Sequence, residues 1–233
     1  MAVTPNIRVP GSETLDSYPA AGTIAFGQVL TFSATTVGAE TVRAANDSSA
    51  NILGLADKRN FVPKGHYDGF YSQYEMVPIV TKRGYALCTA NAGDVNIDIG
   101  DYLEMAALGG GSGYHGLLEE AGATDGTTYT DASVAQALES VTMGGDSDQI
   151  PATDVAVGDT SITMSAGAIS DMGLSVGDYI LLEDITDDLQ VNKVASLTPT
   201  VIGLVIPSTA TLVNGDSDLV HRLYPVKVEF MHK

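Results

Sequence analysis

Residues 77–105 (VPIVTKRGYALCTANAGDVNIDIGDYLEM) constrain the fold of this chain more than any other stretch. Side chains in residues 77–88 alternate as in a pleated strand, and the pattern fits a strand better than a helix. Pro78 and Gly84 within it indicate an edge, a bend or a bulge. A second apolar alternation follows, and a Gly-Asp turn at residues 100–101 closes it before the next strand. The stretch therefore predicts part of a small antiparallel barrel or sandwich.

The Gly-Asp corner recurs later in the chain. Residues 174–182 (LSVGDYILL) resemble residues 98–104 (DIGDYLE), and both place Gly-Asp-Tyr between apolar residues. Two copies of this corner predict two related β-modules.

Composition favours a folded chain that is rich in strands. With 233 residues, 44% hydrophobic and 17% charged, the chain can bury one large or two small cores. Its 25 glycines, together with short runs of Thr, Val, Ala and Asp, favour an all-β fold with many turns. The sequence has neither an apolar run of transmembrane length nor a secretory leader pattern, so we expect no membrane partner and no signal peptide.

The charge balance argues against nucleic acid as a partner. The formal net charge is −18, from 29 acidic and 11 basic residues. Because affinity for phosphate comes from Lys and Arg, a surface this acidic repels nucleic acid. The excess of Asp and the scarcity of lysine suit either a halophilic protein or one that must not adhere to DNA.

The residues that usually carry chemistry form no recognisable pattern. The single cysteine, Cys88, excludes an intramolecular disulfide and a multi-cysteine zinc site. The four histidines are far apart, and the chain has no GxSxG elbow, P-loop or dinucleotide-binding motif. Acidic runs at residues 146–148 and 184–188 lack the glycine and final glutamate of an EF-hand, so they are interpreted as solvated turns. We therefore expect no catalytic residue, no metal site and no cofactor.

Residues 1–20 contain three prolines and little periodicity, which is typical of an extended arm. Such a segment is either a frayed terminus or an arm that docks on a partner surface. The candidate docking residues in the arm are Val3, Ile7, Val9, Leu15 and Tyr18.

Residues 58–74 concentrate aromatic side chains, in a chain that has no tryptophan. A cluster of this kind is either a ligand platform or a loop that packs on the barrel or on a neighbouring subunit, and we favour the interface loop. The candidate interface residues in this loop are Phe61, Tyr67, Phe70, Tyr71 and Tyr74.

The remaining segments complete the predicted layout. Residues 132–141 fit either a short helix or a strand that closes the first module. The alternation in residues 219–231 predicts a strand that returns to the first module. The predicted parts are an extended arm at residues 1–20, a β-barrel-like or β-tulip-like core at residues 21–144 and 213–233, and an inserted small β-domain at residues 145–212.

Four short motifs, taken in order, give the chain a resemblance to a known family. They are Gly54–Ala56, Gly84–Ala86, the Ile99–Tyr102 turn and Ala137–Glu139, followed by a closing VKVEFM strand. In this order they resemble the small capsid decoration, or structural cement, proteins of tailed viruses. The resemblance covers roughly half of the chain.

The resemblance implies a β-barrel-like protein without catalytic residues that clamps neighbouring subunits of the major capsid protein. Members of the family are often trimeric at local threefold positions of an icosahedral head. The arm would then contact the capsid, and the insert would face outward as an exposed knob. The implied location is the outer surface of the virion, after synthesis in the host cytoplasm, for either a haloarchaeal virus or a bacterial phage.

Two other functional classes stay open. A fibre, spike or surface-layer protein would use its inserted domain to recognise a cell-surface glycan. Residues 145–212 contain a single aromatic residue, Tyr179, and a sugar-binding domain normally uses several aromatic side chains for stacking. An enzyme would need a convergent cluster of His and carboxylates in a pocket.

Overall fold

The computed structural model of the chain describes residues 14–33, 40–46, 52–57, 69–89, 96–108, 115–121, 126–127, 129–143, 148–184, 189–216 and 218–231. Strands dominate these residues, and the one helix among them, α1 (Ala168–Asp171), has four residues. The all-β class predicted from composition is confirmed.

The strands are short, as expected for a chain with many glycine turns. Those before residue 90 are β1 (Thr14–Pro19), β2 (Ile24–Ala25), β3 (Val29–Ser33), β4 (Thr41–Ala44), β5 (Ile52–Ala56), β6 (Phe70–Tyr71), β7 (Met76–Val80) and β8 (Arg83–Cys88). Those in the middle are β9 (Asn96–Ile97), β10 (Tyr102–Met105), β11 (Leu118–Glu120), β12 (Ala135–Ala137) and β13 (Val141–Thr142). The last are β14 (Asp148–Gln149), β15 (Ser161–Thr163), β16 (Tyr179–Glu183), β17 (Leu189–Leu197), β18 (Val201–Leu204) and β19 (Leu219–Phe230), with α1 between β15 and β16.

The first part of the chain forms an antiparallel sheet in the order β1-β7-β5-β3-β4. This first sheet curls on itself, because Ala20, just after β1, forms a parallel bridge with Val42 in β4. Ala21 also donates its N–H to the Val42 carbonyl at 2.8 Å. Leu30 and Ile79 are fully buried in the apolar cluster of this sheet, which closes its interior to water.

A second set of strands closes into a small barrel. Its strands pair in the cycle β8-β11-β10-β12-β19, and β19 pairs again with β8. Cys88, Leu103 and Val226 are fully buried in the apolar cluster of the barrel. The predicted barrel and the predicted return of the C-terminal strand are confirmed, and residues 135–137 form a strand rather than a helix.

The insert is built around an apolar cluster of its own. Ile162 in β15, Met172 after α1 and Ile202 in β18 are fully buried members of this cluster. Its sheet runs in the order β16-β17-β18-β15, and β16 pairs with β19 of the barrel. One strand therefore belongs to both the barrel and the sheet of the insert.

Pro225 marks the point where β19 changes its neighbours. Along one edge, β19 pairs with β16 up to Leu223 and with β12 from Val228 onward. Proline has no N–H to give to a ladder, so it is tolerated where a neighbouring strand is missing. Pro225 lies in this interval, opposite Leu87 of β8 on the other side.

The last part of the arm predicted over residues 1–20 is paired in the first sheet. Residues 14–19 form β1, and Leu15 lies opposite Ile79 of β7. Residues 14–20 are therefore held in the first sheet by their pairing with β7 and by the bridge from Ala20 to Val42. Residues 1–13 lie outside the described residues.

Candidate interaction surface

The interface residues predicted from the sequence do not come together at one place. Tyr18 is half-buried at the end of β1, where its ring meets that of Phe32 edge-on with 5.2 Å between centroids. Tyr18 therefore supports the first sheet. The candidates outside the described residues are Val3, Ile7, Val9, Phe61 and Tyr67.

Phe70 and Tyr71 are core residues, and the prediction that they belong to an interface loop is wrong. Their exposed fractions are 7% and 1%. The Tyr71 ring packs against Phe26 with centroids 5.1 Å apart, and its hydroxyl donates to the backbone carbonyl of Asp57. The Phe70 ring packs edge-on against Tyr179 at 6.1 Å. In a chain with few aromatic residues, these large rings are needed to fill the cores.

Among the candidates whose side chains the structure describes, Tyr74 alone is mainly exposed, at 73%. Its backbone N–H donates to the carbonyl of Ala20 at 2.8 Å, which fixes the turn that carries it against the end of β1. It is also the single non-glycine residue with positive φ among the described residues, at 68°.

The turn around Tyr74 belongs to a series of similar turns. In each, the fourth residue donates its N–H to the first carbonyl and its side chain accepts the N–H of the first residue, as Asp101 does from Asp98 at 2.6 Å. The third residue has positive φ, as in a type II turn. The turns span residues 25–28, 72–75, 98–101, 156–159 and 175–178.

Two of these turns, at residues 98–101 and 175–178, are the Gly-Asp corners that the sequence predicts, and they share the same geometry. A buried side chain precedes each, namely Ile97 at 1% and Leu174 at 9% exposure. The other turns lack this sequence pattern, because Gln28 or Glu75 replaces the aspartate or because the following strand begins later. The signal that could have revealed them is an apolar residue placed four positions before the side-chain acceptor.

Tyr74 occupies the position where the other four turns have glycine. Glycine has no Cβ to clash in this left-handed region, whereas an L-residue there costs about 1–2 kcal/mol. A bulky residue held at such a position is a recognised sign of a functional constraint. Tyr74 is therefore the strongest candidate for a functional residue on the described surface.

A cleft of about 370 Å³ lies where the first sheet, the barrel and the insert meet. Tyr179, on its wall, donates its hydroxyl to the Gly69 carbonyl at 3.0 Å, and burial raises the pKa of the phenol. Lys193 lies over the same ring, with Nζ 5.4 Å from the centroid. The hydrogen bond from Tyr179 therefore ties the insert to the chain just before β6.

The ionisable groups elsewhere in the described residues fit structural roles. His221 of β19 contacts Glu183 of β16, and their side chains are 13% and 8% exposed. No group of three or more His, Cys, Asp or Glu side chains within the described ranges is placed to hold a metal ion. In the same ranges no helix is long and apolar enough to cross a membrane.

Comparison with known proteins identifies no relative. A scan against protein-family models gave no match, and searches of curated proteins and of solved structures gave no significant match.

Proposed function

We propose that this chain is a capsid decoration protein of a tailed virus, which binds the assembled shell of the major capsid protein and stabilises it without catalysis. The proposal includes assembly as a homo-oligomer, with a trimer favoured, and a location on the outer surface of the head. Its starting point is the ordered set of motifs that resemble this family.

The observation that carries the proposal is the way in which the motifs contact one another. The turn at residues 99–102 and the segment at residues 137–139 exchange two hydrogen bonds, from Gly100 N–H to Ala137 O at 2.9 Å and from Ala137 N–H to Asp101 O at 2.8 Å. Motifs that are 36 residues apart in sequence thus form one corner of the barrel. Contact between them supports a resemblance of the fold framework over a chance series of dipeptides.

The two earlier motifs also lie close together. A Cβ on Gly84 would be 3.0 Å from Cδ1 of Leu55, so the segments around Gly54–Ala56 and Gly84–Ala86 pack directly on each other. Ala56 and Ala86 are 3% and 0% exposed. Small residues are therefore required where the first sheet meets the barrel.

The proposed mechanism is thermodynamic. A protein that binds the assembled shell, and not its free subunits, stabilises the shell by mass action. Many copies joined through modest interfaces add avidity. The net charge of −18 would keep the free protein soluble and discourage adhesion to DNA.

The alternative, a glycan-binding spike or fibre protein, has less support. Tyr179 is the one aromatic residue of the insert, and its ring packs against Phe70 with its hydroxyl bonded to Gly69. With Lys193 also over the ring, little of it is available for stacking on a sugar.

The test is co-sedimentation of the purified chain with undecorated heads of its virus. The full chain should bind saturably and raise the temperature at which the heads release DNA. A variant that lacks residues 1–13 keeps β1 and the first sheet, so weaker binding by it would place the contact in that segment. Absence of head binding together with binding to host cells would overturn the proposal in favour of the spike alternative.

A further inference from the structure

Two chain segments, residues 18–25 and 70–77, pair to form a ribbon, and most of its exposed side chains lie in and beside the turn at residues 72–75. We call it the Tyr74 ribbon. Tyr18 lies opposite Val77 at one end, and Ala25 lies opposite Phe70 at the other. Between these ends, Gln73 donates its side-chain amide to the Ala21 carbonyl at 3.1 Å. The turn at residues 72–75 therefore lies midway along the ribbon, where the side chains are exposed.

The conformation of Tyr74 is the first observation that points to a partner. Four turns of the same kind in this chain use glycine at the position with positive φ, and this one holds a tyrosine at φ 68°. The ring does not offset this strain by burial in its own chain, because the residue is 73% exposed. Two residues further on, Met76 is 42% exposed. Exposed Tyr and Met are residue types enriched where proteins bind one another.

The charge of the ribbon indicates which partner it fits. Glu75 is its single charged residue, and the Glu75 carboxylate accepts the Ser72 N–H at 2.7 Å within the turn. The chain as a whole carries a net charge of −18, so two copies repel each other wherever their acidic surfaces meet. A basic partner would be attracted to the acidic parts of the surface. A second acidic chain instead needs a contact surface with few charged side chains, and the ribbon is such a surface.

We propose that the Tyr74 ribbon is the contact through which copies of this chain bind each other. The ring of Tyr74 is the anchor of this contact, and Met76 lies beside it in the same ribbon. The assignment rests on the homo-oligomer included in the proposed function, but not on head binding, because self-association is measured on the purified chain without heads and can fail separately from it.

The test is sedimentation velocity of the full chain over a wide range of concentration, with three variants. Tyr74→Gly restores the residue of the other turns, so it should fold at least as well as the unchanged chain. It should weaken self-association about tenfold or more, as expected when an aromatic anchor is removed. Tyr74→Phe keeps the ring and should associate normally. The matched control is Tyr129→Ser, which removes a different tyrosine that is 50% exposed; it loses a ring contact with Tyr102 at 5.6 Å but should leave self-association unchanged.

Salt and a second position complete the test. Because the copies are acidic, association should become tighter as salt is added and repulsion is screened. If Tyr74→Gly fails to fold, Met76→Ser reports on the same surface and should also weaken association. A chain that is monomeric at every concentration would overturn the inference, and so would Tyr74→Gly or Met76→Ser assembling as well as the unchanged chain. Equal loss in Tyr129→Ser would place the contact elsewhere and overturn it too.

Discussion

The carbonyl oxygen of Val80 lies 2.2 Å from the position that a Cβ on Gly54 would take. Gly54 also has φ 145°, so a larger residue meets both a steric clash and an unfavourable backbone conformation. Since the neighbouring atom belongs to the backbone of β7, it cannot turn aside as a side chain would. We expect Gly54→Ala to lower the free energy of unfolding by about 2–3 kcal/mol, measured by urea denaturation.

Gly100→Ala is the matched control for this substitution. Gly100 also has positive φ, at 102°, but a Cβ there would have no atom within 4 Å. It should lose about 1 kcal/mol from the backbone conformation alone. Equal losses of unfolding free energy in the two variants would show that the clash with Val80 does not destabilise the fold.

The aspartate of the recurring turn should stabilise the fold more where it is buried than where it is exposed. Asp101 is 7% exposed and accepts the Asp98 N–H at 2.6 Å, whereas the Asp159 turn is exposed. Asp101→Ala should therefore cost about 1–3 kcal/mol, and Asp159→Ala about 0.5–1 kcal/mol because water replaces the lost acceptor. Asp101→Asn keeps an acceptor oxygen and should recover most of the loss in thermal or urea unfolding. A larger loss at Asp159 than at Asp101 would contradict this account.

Glu119 should make stability depend on pH. Burial is the main cause that raises the pKa of its carboxyl, and the charge of Glu104 on the neighbouring strand adds to it, although the Ala107 N–H acts in the opposite direction. The folded state therefore holds this proton more tightly than the unfolded state. Its contribution to stability falls as pH rises from the ordinary value of a glutamate through the raised value.

Glu119→Gln removes this titration but keeps an oxygen for the Ala107 N–H, which donates to Oε1 at 2.8 Å in the unchanged chain. The variant should be more stable than the unchanged chain at neutral pH, and the difference should vanish in acid. Glu40→Gln is the control, because it removes one exposed negative charge from the same acidic chain. A gain from Glu119→Gln that equals the gain from Glu40→Gln at every pH would contradict the prediction.

Cys88 should not react with thiol reagents while the chain is folded. Its side chain is fully buried inside the barrel, and burial, with a smaller effect of Glu120, raises the pKa of the thiol far above its usual range. A chromogenic disulfide reagent should modify the thiol completely in denaturant, and without denaturant only at the rate at which the barrel opens. Fast modification of the folded chain would show that β8 leaves the barrel readily.

The strands that the sequence predicted are those whose alternation is long. Residues 77–88 divide into β7 and β8, with the break at residues 81–82, and residues 219–230 form one strand. The pattern reports which side chains are buried, but it does not report which strand lies beside which. The pairing of β19 with β8, β12, β14 and β16 joins residues far apart in sequence, so no local signal encodes it.

The candidate interface was predicted less well than the fold. Phe70 and Tyr71 lie in a strand of two residues, which is too short to show alternation, so their burial depends on packing that sequence does not display. Tyr74 was named for its ring, but the feature that sets it apart is its backbone. The sequence does not show this feature, because the turn at residues 72–75 has no glycine to mark its position with positive φ.

The strand β19 has a mechanical consequence for the molecule. A hinge needs a few residues that can absorb a change in backbone angles, and these are usually found in a loop or at the end of an element. Residues 219–230 run without a break through the sheet of the insert and the wall of the barrel. The insert is therefore joined to the barrel by a continuous strand and not by a flexible linker. Residues on the surface of the insert should keep a fixed orientation relative to the barrel.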